Sequence, residues 1–163
     1  MHINTRNQVE QSFLTSSRNS ARKKLYALRA EQDGNTQQAK LFRAMAASED
    51  AQATRFLLQL RGQIGSNSQN IATIFSQELP ELVEHYTQAA RIAANTKDVA
   101  MESAFTQSAK VARIHQSLMK KLANNPIKNN SYQVCSFCGF IMEDHAPEQC
   151  PICTAPAKRF KEI

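Results

Sequence analysis

The stretch Cys135-Ser136-Phe137-Cys138-Gly139 is followed, with eleven residues between Cys138 and Cys150, by Cys150-Pro151-Ile152-Cys153, and it decides how the whole chain is read. Two C-x-x-C hooks present four sulfurs to a single ion, which is the donor set of a tetrahedral metal site. Gly139 supplies the backbone freedom that lets the first hook curl around the metal. From about residue 129 to Ile163 the apolar anchors are only Tyr132, Phe137, Phe140, Phe160 and Ile163. A segment that short cannot bury an adequate core, so metal binding is expected to be part of its folding free energy. Zinc and iron both suit four thiolates, and the spacing does not choose between them.

Outward from the hooks, the sequence reads as a small two-part protein. The 163 residues contain no Trp, four Gly and exactly the four Cys of the hooks, so nothing remains for a disulfide framework. Thiols kept for metal suit a reducing compartment, and a cytoplasmic location is expected. No apolar run approaches the roughly 18 residues of a membrane span, and the polar start is unlike a signal peptide. The formal charge of +6 lies in residues 1–127, with 16 Lys and Arg against 10 Asp and Glu, whereas residues 128–163 balance at four of each. The short clusters Arg22-Lys23-Lys24 and Lys120-Lys121 are read as solvated helix faces, the latter favoured by a helix C-terminal dipole, rather than as a nucleic-acid surface.

Residues 1–125 predict four helices, and residues 126–163 the metal ribbon. Helix 1 is expected from about Asn4 to Asp33, ending at Gly34, and helix 2 from Thr36 to Leu60. After the break at Gly62 to Gly65, helix 3 is expected from Ser68 to Ala94, with Asn95-Thr96 turning the chain and capping helix 4, which runs to about Ala123. Pro80 either kinks helix 3 or starts a new helix. Two antiparallel hairpins would make a four-helix bundle, so the expected class is mainly α with a small metal ribbon at the end.

At about 100° per residue, ionisable groups fall on the apolar stripes. Helix 2 presents Leu41, Phe42, Met45, Ala46, Ala53, Phe56 and Leu60, with Glu49 among them. Helix 3 places Glu78 and His85 with Ile71, Ile74, Phe75, Leu79 and Leu82, and Glu81 at the margin. Helix 4 places His115 with Phe105, Val111, Ala112 and Met119, while helix 1 brings Lys24 into line with Val9, Phe13 and Leu25. Inward carboxylates need a metal, a cation or a shared proton. For Lys24 two readings stand, a counter-ion of Glu49 or Glu78 in a metal-free core and, the one slightly favoured, an ammonium that snorkels to solvent. His85, with Glu78, Glu81 and His115, is a candidate ligand of one divalent ion.

The run from Tyr132 through Glu143, then Ala146-Pro-Glu-Gln-Cys-Pro-Ile-Cys153 and Phe160-Lys-Glu-Ile163, resembles the rubredoxin-like tail of rubrerythrins. One departure is Thr154, where rubredoxins usually carry Gly. The resemblance implies a ferritin-like four-helix bundle and a four-cysteine iron that alternates between ferric and ferrous states. It also implies a peroxide-reducing di-iron centre, a homodimer, and an electron-donating reductase or redox protein as partner. Glu49, Glu78, Glu81 and His115 match the family's di-iron ligands. Three positions do not, because Ser16, Gln52 and Ala112 stand where the family has Glu, His and Glu. Two irons need bridging carboxylates at about 3.5–4 Å separation, so this donor set is poorly equipped for a pair. The readings carried forward are an electron carrier with a degenerate bundle site and, alternatively, a zinc-stapled interaction or assembly protein.

Overall fold

The computed structural model describes residues 2–60, 64–124 and 131–163. Its elements follow the chain as α1 (Ile3–Gln32), α2 (Thr36–Gln59), α3 (Asn67–Thr73), a π-turn (Ile74–Glu78), α4 (Leu79–Asn95), α5 (Val99–Asn124), β1 (Tyr132–Cys135), β2 (Ile141–Glu143) and β3 (Phe160–Glu162). The chain divides into two compact units, residues 1–66 and 67–163, so the ribbon belongs to the same unit as the second helical hairpin. The expected boundary at 125/126 falls at a stretch, 125–130, outside the described residues.

In the first unit, α1 and α2 form a hairpin closed at Gly34. Gly34 has φ 76°, and the N–H of Asn35 donates to the Ala30 carbonyl at 2.7 Å, a helix C-cap that needs a residue in the left-handed region. No atom lies within 4 Å of a Cβ built there, so Gly34→Ala costs only conformational strain. The expected loss is about 1 kcal/mol, read by denaturant unfolding.

The seam between these helices is built of small residues. Ser20, Ala27 and Ala30 of α1 and Ala39, Ala46 and Ala53 of α2 are buried, and Leu60 continues the seven-residue spacing of the α2 set. A heptad of alanines allows two helices to approach closely along one edge. The expected stripe of α2 was broader, and the structure corrects it: Leu41 and Met45 are exposed. α1 covers the alanine edge of the stripe and half-buries Phe42, which meets Tyr26 edge to face, while Leu41 and Met45 stay outside.

In the second unit, the helix expected from Ser68 to Ala94 is present, and Pro80 accounts for its irregularity. Proline has no N–H to donate to the Ser76 carbonyl, and its ring crowds that turn. The chain relieves this with the wider π-turn, in which the Leu79 N–H donates to the Ile74 carbonyl. Pro80 then sits in the first turn of α4, where a missing donor is harmless. The cap of α5 differs from expectation, since Asp98, not Thr96, accepts the Met101 N–H, at 3.1 Å. Thr96 instead turns its hydroxyl back to the Ile92 carbonyl.

After the undescribed stretch 125–130, the ribbon is a three-stranded antiparallel sheet in the order β2-β1-β3. Val134 pairs with Ile141 on one side and Lys161 on the other. Phe140 and Phe160 meet edge to face, with ring centroids 6.3 Å apart. Val111 of α5 shares a buried cluster with Cys135, Phe140 and Cys150, and Ile114 packs against it. Lys121 at the end of α5 forms an ion pair with Glu143 of β2. The ribbon is thus seated on its own helix.

Candidate metal centre

The two hooks are near copies of one another. Gly139 N–H donates to the Cys135 carbonyl at 2.9 Å, and Thr154 N–H donates to the Cys150 carbonyl at 2.9 Å. Cys135 N–H reaches the Phe140 carbonyl at 2.9 Å, and Cys150 N–H reaches the Ala155 carbonyl at 2.8 Å. Each hook closes through a residue of positive φ, Gly139 at 79° and Thr154 at 61°. A β-branched residue is strained there, whereas glycine is not. Thr154→Gly is therefore expected to stabilise the ribbon by about 0.5–1 kcal/mol, net of the freedom glycine adds to the unfolded chain, as a higher thermal midpoint.

All four Sγ atoms lie within 4.8 Å of one another. Cys135 and Cys153 approach to 3.7 Å, and Cys138 and Cys150 to 3.6 Å, too far for disulfides. A tetrahedron with metal–sulfur bonds of about 2.3 Å has edges of about 3.8 Å, close to these two separations, so the four sulfurs are grouped tightly enough to share one ion. Cys135 and Cys150 are each 1% exposed, while Cys138 and Cys153 are half-buried.

Without metal, the thiols differ in acidity. Burial opposes ionisation of Cys135, but N–H groups of Cys138 and Phe137 and the Cys153 side chain together hold it below the ordinary thiol value. Burial pushes Cys138 and Cys153 up, with N–H donation from Phe140 and Ala155 only partly offsetting it. Thiols raised in this way are protonated at neutral pH, so metal entry displaces their protons. Metal affinity is expected to strengthen steadily as pH rises from weakly acidic to weakly alkaline, with proton release measurable by calorimetry in buffers of different ionisation enthalpy.

Among the described residues, these four cysteines are the one group of three or more His, Cys, Asp or Glu placed to hold an ion. The helical candidates lie elsewhere. Glu49 pairs with Lys23 at 2.5 Å, with the two side chains 19% and 17% exposed, and its second carboxylate oxygen is buried without a hydrogen bond. This corrects the reading of Lys24 as the counter-ion and agrees with its snorkelling to the surface, where it reaches Asp50 at 2.7 Å and holds that carboxyl below its usual range. The residue that meets Glu49 is one position earlier. Glu78, Glu81 and His85 are exposed, contrary to the inward stripe assigned to them. The π-turn shifts the phase of the residues before Leu79 relative to α4, while Glu81 and His85 lie within the unbroken α4, whose buried positions are Leu79 and Ala93. His115 is half-buried, and its Nε2 is buried without a partner. Of the departing positions, Gln52 is exposed, Ser16 is half-buried and Ala112 is buried.

In chain order, two helical hairpins are followed by a ribbon that gathers four sulfurs. Residues 133–161 match the family model described as the rubredoxin-like domain of rubrerythrin. Solved structures of nigerythrin share the fold: the partially reduced state is 20% identical, the mixed-valence state 21% and the fully reduced, all-ferrous state 20%. Each comparison covers 98% of this chain and 86% of that one at a TM-score of 0.54. No curated protein sequence matches the chain. The mainly α fold ending in a rubredoxin-like four-cysteine site is therefore that of this chain. No helix among the described residues is long and apolar enough to cross a membrane.

Proposed function

We propose that the chain is a rubrerythrin-like electron carrier whose working centre is one iron held by Cys135, Cys138, Cys150 and Cys153, with no di-iron centre in its helices. The observation that carries the reading is the cluster of four sulfurs within 4.8 Å of one another, in a ribbon like those of iron-containing relatives. Iron bound there would supply one-electron exchange between ferric and ferrous states. Cys135 and Cys150 are sealed, so the half-buried Cys138 and Cys153, beside the exposed Phe137 and Pro151, form the side through which electrons pass to a redox partner.

The helical residues do not fit a di-iron pair. Ser16, Gln52 and Ala112 cannot supply the missing carboxylates and imidazole, and Lys23 already neutralises Glu49. An ammonium on a half-buried carboxylate meets the need for a cation that a metal would otherwise meet. A role in oxidative-stress defence would then consist of passing electrons onward rather than reducing peroxide in the helices. The reading includes a homodimer. Light scattering after size-exclusion chromatography checks this.

Stepwise reductive titration tests the function. Iron-loaded protein is expected to lose its thiolate-to-iron colour after one electron per chain and to regain it with a mild oxidant, without sustained peroxide consumption. Rapid, saturable turnover of hydrogen peroxide would overturn the non-catalytic reading. A colourless chain that binds zinc under iron-rich conditions would replace it with the zinc-stapled interaction protein.

A further inference from the structure

The burial of the four ligands is uneven, and part of the wall comes from outside the ribbon. Cys135 and Cys150 lie in one buried cluster with Phe140 and with Val111, which belongs to α5. Ile114, almost one helical turn on, packs against the same cluster. The Lys121–Glu143 pair ties β2 to the end of the same helix. A rubredoxin-like ribbon need only supply four thiolates and its own aromatic residues; here a helix adds an aliphatic surface.

We propose that α5 is the second wall of the thiolate centre, with Val111 and Ile114 as positioning residues that exclude water from the Cys135 and Cys150 side and hold the reduction potential of a bound iron low. This rests on the reading of an iron centre. Four thiolates carry one net negative charge around ferric iron and two around ferrous iron. An apolar wall penalises the more highly charged state more heavily, so it favours the ferric form. Water or a hydroxyl dipole at that wall would stabilise the ferrous form and raise the potential. The helix is thereby a tuning element of the ribbon as well as its support.

Val111→Thr tests this with little change of shape. The midpoint potential of the iron-loaded, full-length chain is measured by voltammetry beside wild type and Val99→Thr, an exposed valine on the same helix. Val111→Thr is expected to move the potential upward and to speed loss of iron to a chelator several-fold, while Val99→Thr changes neither. Should Val111→Thr fail to fold, Ile114→Thr, at the half-buried edge of the cluster, carries the same expectation with a smaller shift. A potential indistinguishable from that of Val99→Thr in a folded, iron-bearing variant overturns the inference and leaves the electron carrier standing. A chain that accepts zinc but not iron overturns both.

Discussion

Cys150→Ser is expected to abolish tight metal binding and to unfold residues 131–163 while the helices remain. Cys150 is one of the two fully sealed ligands, and its N–H and carbonyl also anchor the second hook. Binding of a structural metal to small cysteine and histidine modules releases on the order of 10–16 kcal/mol near neutral pH. Phe140, Phe160 and their few neighbours cannot replace that in a segment below the roughly 40 residues at which a core begins to suffice. Far-UV circular dichroism should retain most of its helical signal. Amide spectra of the ribbon should collapse toward random-coil positions, and a strong chelator added to wild type should give the same pattern. A variant that keeps its metal and ribbon dispersion would show that three thiolates suffice.

The second large effect lies in the first helical hairpin. Lys23→Met leaves Glu49 partly buried and without its cation, and the expected loss is about 2–3 kcal/mol. That is below the roughly 3–5 kcal/mol of a fully buried pair because water still reaches both side chains. Glu49→Leu should cost a similar amount, and Lys23→Met combined with Glu49→Leu should recover most of it, since neither charge is then stranded. Urea unfolding followed by helical dichroism measures all four proteins. Additive losses in the double variant would mean that the pair is not coupled.

The metal ribbon and the helix limits are legible in the sequence because they depend on local chemistry. Two C-x-x-C hooks need only their own turns, and Gly34 stops α1 by its own conformational freedom. The partner of Glu49 was not legible, although its need for a cation was. Lys23 and Lys24 differ by about 100° around α1, and which one faces α2 depends on how the alanine seam of Ala39, Ala46 and Ala53 turns the two helices. The seven-residue spacing of those alanines was the available signal. Pro80 opens α4 in its first turn, as one of the two sequence readings has it, and the π-turn before it, which sets the face on which Glu78 lies, is not written in the local pattern. The contribution of Val111 and Ile114 to the metal centre depends on contacts between distant segments, which no local pattern encodes.

The central claim is one iron in the four-sulfur site and none in the helices. Elemental analysis of full-length protein prepared with excess iron, read beside its visible spectrum, tests it most directly. The account predicts one iron per chain with ferric-thiolate colour, absent in Cys150→Ser and unchanged in Glu49→Gln. Two further irons per chain, lost in Glu49→Gln, would contradict it and restore a di-iron enzyme.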